Sequence, residues 1–133
     1  LWQKTVSSPG RVSINLSLKQ LRQLSFINRI SSILRGQEIS PTSLELEITE
    51  TTQMENPTRT IKILDQLYGL GLHLAIDDFG TGYSSLSALQ QFPISTLKID
   101  QSFVRDIATN PDDAVIVDTI IQMGRNLNMD VVA

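Results

Sequence analysis

A chain of 133 residues, 41% hydrophobic, with 11 basic and 14 acidic side chains and a formal charge of −3, reads as one soluble globular domain or a piece of one. Its lysines and arginines are scattered, which argues against a nucleic-acid polymer as main partner, because neutralising phosphates needs a basic patch. With no cysteine and a single histidine, His73, disulfides, thiolate metal sites and multi-histidine zinc sites are excluded, and any metal must be held mainly by oxygen.

No apolar run approaches the roughly 18 residues of a membrane span, and LWQKTVSSPG lacks the regions of a signal peptide. The segment is therefore expected to make no membrane contact and to work in the cytoplasm. It begins at Leu1 and stops at Ala133 inside what reads as a strand, so a fragment is expected.

In chain order, RVSINLS (11–17) is a short β-rich run, and Leu21, Leu24, Ile27, Ile30 and Leu34 then follow at helical spacing. Ser17 with Gln20 three positions on makes a capping box. SLELEIT (43–49) alternates Leu44, Leu46 and Ile48 with charged residues and reads as a second strand. Asn56-Pro57 opens a helix striped by Ile61, Leu64 and Leu67, which Gly69 and Gly71 stop. HLAID (73–77) is the third strand, followed by a glycine loop and a short helical piece near Ser84 to Gln90. TLKID (96–100) is the fourth strand. After Asn110-Pro111 comes a long helix with Ile116, Ile120, Met123 and Leu127 on one side, and DVVA (130–133) begins a fifth strand.

Alternating β and α elements favour parallel strands with helical crossovers, in either a doubly wound sheet or a (β/α)8 barrel. A doubly wound sheet gathers ligand groups at one switch point, whereas every barrel strand can contribute at its C-terminal end. Asn15, Glu47, Asp77 with Asp78, and Lys98 with Asp100 all stand late in their strands. That pattern favours an α/β fold of the barrel type, incomplete at about five β-α units.

An Asn, a Glu and two Asp on one rim form an oxygen-only set suited to Mg2+ or Mn2+. Adjacent aspartates on a regular strand point to opposite faces, but at a strand end opened by glycine both can reach one site. Three carboxylates packed together repel unless a positive charge lies between them. A pair of divalent ions would resolve that conflict and would suit an in-line phosphoryl displacement, with Lys98 orienting water or neutralising a phosphate oxygen. Gly80 and Gly82 would let backbone N–H groups approach an anion. Each feature also has a plainer reading: Glu45 and Glu47 as a solvated strand face, Asp77-Asp78 as a strand-to-turn junction, Lys98 as a surface lysine, and His73 as structural or exposed.

The segments SINLS, LELEITE, AIDDFGTGYSSL, FPISTLKIDQSFV and VVA, in this order and spacing along the whole chain, resemble the EAL phosphodiesterase family. The resemblance implies a modified (β/α)8 barrel that hydrolyses cyclic di-GMP to pGpG with two Mg2+ or Mn2+ ions. Carried over by position, Asn15, Glu47, Asp77 and Asp78 match metal ligands, and Lys98 matches the catalytic lysine that acts with Asp77 and Glu47. Asp100 matches a residue near the second metal or its water. Glu50 matches the glutamate that anchors a loop of Phe79, Gly80, Thr81 and Gly82, linked in the family to dimerisation and metal binding.

The resemblance also implies a homodimer. Residues 1–133 would then be a partial EAL domain, without the first barrel strand that carries the name-giving Glu-Ala-Leu or the last strands. Little or no hydrolysis is expected of this polypeptide alone, and its open edges would need another chain or segment to pair them. The alternatives are a catalytically inactive cyclic di-GMP receptor or regulatory module, and an unrelated metal-dependent barrel acting on another phosphate ester.

Overall fold

The structure, a computed structural model, describes residues 10–50, 56–82 and 86–133, except for the side chains of Leu18, Pro57 and Ala88. Five strands form one parallel sheet: β1 (Val12–Asn15), β2 (Leu44–Thr49), β3 (His73–Phe79), β4 (Thr96–Ile99) and β5 (Asp130–Val132). They lie in the order β1-β2-β3-β4-β5, so each strand pairs with the next in sequence. A doubly wound sheet would reverse direction at a switch point; this one winds one way, as a barrel wall does. The wall is open between β1 and β5.

Helices cover the outer face. The capping box forms as read: Ser17 N–H donates to Gln20 Oε1 at 2.9 Å and Gln20 N–H to Ser17 Oγ at 3.3 Å. It opens only a single turn, α1 (Leu18–Leu21), and the chain restarts as α2 (Phe26–Gly36). The expected continuous stripe is therefore broken at the turn, where Leu24 is 95% exposed while Leu21 and Leu34 are buried. Apolar spacing misses this break because no glycine or proline marks it.

The crossover α3 (Pro57–Gly69) is capped by Asn56, whose side chain accepts from Arg59 N–H, and its Leu64 and Leu67 are fully buried. Next come α4 (Leu86–Gln91), α5 (Gln101–Arg105) and α6 (Pro111–Asn126). Ser84 and Ser85, part of the expected short helix, lie outside the described residues. Asn110 caps α6 by accepting from Asp112 N–H at 3.1 Å, and Val117 and Ile120 turn inward from that helix.

Leu46, Ile48, Leu74, Ile76, Leu97 and Ile99 face the helices and form the core with Leu64, Leu67, Phe79 and Leu89. The alternate residues Ser13, Glu45, Glu47, Ala75, Thr96 and Lys98 share the opposite, inner face through the parallel register. Glu45 and Glu47 are 6% and 8% exposed, so the plainer reading of a solvated strand face is overturned. A parallel sheet is covered on both faces, and charge placed on the inner one must be paired there.

Candidate functional site

The inner face reaches its C-terminal rim with Asn15, Glu47, Asp77, Asp78 and Lys98, and Asp100 follows β4 directly. β3 does not end at Asp77 as read from sequence; it continues through Phe79. Ile76 pairs with Leu97 and Phe79 with Ile99, so Asp77 and Asp78 together stand opposite Lys98. That is a β-bulge, with two residues on one strand facing one on its neighbour. Asp78 carries it at φ +54°, in the left-handed region that Asp tolerates better than most residues. The device that presents adjacent aspartates to one rim is thus this bulge within the strand, rather than a glycine at its end.

Phe79, expected in the loop, is buried in the apolar core at 7% exposure, and the loop proper starts at Gly80. Gly80 has φ +103°, and a Cβ there would meet the Phe103 ring at 2.9 Å. The buried carboxylate of Glu50 accepts from Gly80 N–H at 3.1 Å and from Gly82 N–H at 2.8 Å. The anion that these amides approach is therefore the chain's own Glu50. Thr81 Oγ1 donates to the Asp78 carbonyl at 2.8 Å, which ties the loop back to the bulge.

Lys98 is the rim's cation. Its ammonium donates to Glu47 Oε1 and lies 3.5 Å from Glu45 Oε1 and 3.4 Å from Ser13 Oγ. Burial would lower the lysine's affinity for its proton, but the hydrogen bond and charge of Glu47, with those of Glu45, outweigh it and push the pKa up. Burial would likewise raise Glu47, yet hydrogen bonds from Lys98 and Ser13 and the lysine's charge hold it below the usual carboxylate range. Asp77 lies within hydrogen-bonding reach of Glu47.

Asp100 has a part that spacing did not indicate: it is the N-cap of α5, accepting from Ser102 N–H at 2.7 Å and from the Ser102 hydroxyl. Those bonds hold its pKa down, while Asp78 beside it is pushed up by burial and by the charges of Asp77, Asp100 and Glu47.

The carboxylates are thus gathered at one rim, with Asp78 beside Asp77 and Asp100 and with Glu47 bonded to Lys98. Among the described residues, no three carboxylate or histidine side chains form a ready metal cage. Asn15 is exposed at the end of β1, opposite Glu47 in register. The donor chemistry still fits a hard divalent ion: every ligand is oxygen, and the raised pKa of Asp78 marks surplus negative charge that a cation would relieve. Ser13 and Thr96, which donate to Glu45 at 3.0 and 3.1 Å, were not singled out in the sequence. The signal that could have found them is the two-residue period, since an inward Glu47 makes Glu45 and its cross-strand neighbours inward too. No helix among the described residues is long and apolar enough to cross a membrane.

The EAL domain family model matches residues 1–133. The chain is 39% identical over 133 residues to the bifunctional diguanylate cyclase/cyclic di-GMP phosphodiesterase MucR of Pseudomonas aeruginosa, covering 100% of this chain and 19% of that protein. It is 37% identical over 123 residues to the cyclic di-GMP phosphodiesterase PdeR of Escherichia coli, covering 92% of this chain and 19% of that protein. Among solved structures, a MucR phosphodiesterase in complex with cyclic di-GMP superimposes with a TM-score of 0.93 at 38% identity, over 98% of this chain and 53% of that one. The manganese and cyclic di-GMP complex of Klebsiella pneumoniae BlrP1 superimposes with a TM-score of 0.83 at 30% identity, over 93% of this chain and 32% of that one. The chain therefore spans about a fifth of those two curated relatives and about half of the solved MucR chain.

Proposed function

Because this chain belongs to the EAL domain family, we propose that its parent protein hydrolyses cyclic di-GMP to pGpG and that residues 1–133 supply one wall of the active barrel. The observation that carries the reading is the bulge at Asp78, which sets two aspartates opposite Lys98 at the rim where a barrel enzyme does its chemistry.

In this reading Asn15, Glu47, Asp77 and Asp78 hold Mg2+ or Mn2+, which when bound would acidify a water and neutralise charge on the phosphodiester. Lys98, kept protonated by its two glutamates, directs its N–H bonds at the attacking water or at the phosphate oxygen that gains charge. Asp77 supports Glu47 through their contact, and Asp100 orients Asp78 while itself fixed by Ser102. Glu50 sets the shape of the Gly80–Gly82 loop by holding two of its amides.

The parent is read as a cytoplasmic EAL domain that works as a homodimer. The open wall by itself would give little or no hydrolysis, because an edge between β1 and β5 leaves the rim incomplete. The test is to incubate the full-length parent with cyclic di-GMP and Mg2+ or Mn2+ and follow pGpG. Its accumulation, and its loss on chelation, is the expected result; tight binding without turnover would replace the enzyme with a receptor.

A further inference from the structure

Glu45 is a buried carboxylate on the inner face to which the family resemblance gives no part and the reading above gives only a share in keeping Lys98 protonated. Partners from two other strands and from the residue before β1 fix it. Ser13 Oγ of β1 donates to its Oε1 at 3.0 Å, Thr96 Oγ1 of β4 donates to its Oε2 at 3.1 Å, and the Arg11 guanidinium lies 3.8 Å from Oε2. Both oxygens are thus occupied on a strand inside the sheet, so the carboxylate is a preorganised charge. Lys98 differs in kind: its ammonium ends a flexible four-carbon stem and its side chain is 22% exposed. Such a side chain points usefully only if something holds its end.

Two anions stand beside that ammonium, at alternate positions of β2. Glu47 is shared with Asp77 and, in the reading above, with a divalent ion, so its charge is drawn toward the rim. Glu45 sits one layer deeper, opposite His73 where Glu47 is opposite Ala75, with Ser13 touching both it and Lys98. We propose that Glu45 is a positioning residue, which holds the Lys98 ammonium in place from beneath while Ser13 and Thr96 hold Glu45. The inference rests on the reading that Lys98 acts on cyclic di-GMP, and it predicts that β2 supplies two glutamates with separate work.

The test uses the full-length parent with Glu45→Gln, Glu45→Asp, Lys98→Ala and the Glu45→Gln/Lys98→Ala double variant. Four quantities are read: kcat, KM for cyclic di-GMP, Mn2+ affinity by calorimetry, and the mobility of the Lys98 side chain from its 13C-methylene NMR signal, assigned by its loss in Lys98→Ala. Glu45→Gln keeps the size and an acceptor but removes the charge. It should lower kcat on the order of 10-fold, leave KM and Mn2+ affinity unchanged, and make the Lys98 signal more mobile. Glu45→Asp should recover part of both effects. The double variant should be no slower than Lys98→Ala, because groups acting through one another are not additive.

An unmoved Lys98 signal in Glu45→Gln, full additivity in the double variant, or a loss of Mn2+ affinity would each overturn the proposal, the last by making Glu45 a metal ligand. If Lys98→Ala hydrolyses normally, the functional reading fails, and the NMR signal alone decides whether Glu45 holds Lys98. Should Glu45→Gln fail to fold, Ser13→Ala and Thr96→Val release Glu45 without changing charge, and the same mobility increase is expected of them.

Discussion

Leu46 and Ile48 on one face of β2 are 3% and 1% exposed, and Glu45 and Glu47 on the other are 6% and 8% exposed. The two faces are shut away almost equally, by different physics. The outer face is dry because apolar side chains pack against helices, a non-directional gain roughly proportional to area. The inner face holds charge that stays only because Lys98, Ser13, Thr96 and Arg11 supply donors at fixed places. The outer face should therefore respond to lost volume, and the inner face to lost partners.

Substitutions can break that contrast in order of expected size. Ile48→Ala, in the fully buried outer layer, should lower the unfolding free energy of the parent domain by about 2–5 kcal/mol, read from the denaturant midpoint. Gly80→Ala joins the two faces, since it strains a residue at φ +103° and drives a methyl into Phe103; a loss of roughly 1–3 kcal/mol is expected in the same measurement. Asn110→Ala removes the cap of α6, far from the charged face, and should cost about 1 kcal/mol with hydrolysis per folded molecule unchanged.

The smallest effect has the opposite sign. Asp78→Asn removes one carboxylate from among three others and keeps a residue tolerant of positive φ, so it should raise the unfolding free energy at neutral pH, by no more than about 1 kcal/mol after solvent screening, while hydrolysis falls. The raised pKa of Asp78 means that its favourable contribution is present below its unfolded pKa and is lost as pH rises through the folded value. Glu47 and Asp100, both lowered, contribute above their unfolded values and lose that contribution as pH falls through the folded ones. The gain from Asp78→Asn should accordingly vanish in acid, below the unfolded pKa of Asp78, which melting curves across pH would show.

Much of the architecture was legible because it rests on local rules. The capping residues Asn56 and Asn110, the Ser17–Gln20 box and the five strands follow from turn chemistry and apolar period, and late polar residues in successive strands pointed to a barrel wall. What stayed hidden depends on neighbours far along the chain. The bulge at Asp78 is defined by register against β4, which no window of β3 contains. Glu45 looked solvated because alternation records which residues share a face and leaves open what covers it; Thr96 and Lys98, 51 and 53 positions on, give the answer. The break before α2 left Leu24 outside because apolar spacing carried across it unchanged.

The catalytic role of the charged inner face is tested most directly by the rate at which the full-length parent converts cyclic di-GMP to pGpG with and without the lysine amine. Replacing Lys98 with alanine should slow turnover on the order of 100-fold or more while the protein still folds and binds Mn2+. Turnover unchanged in Lys98→Ala would contradict the claim that the charged inner face is the catalytic one.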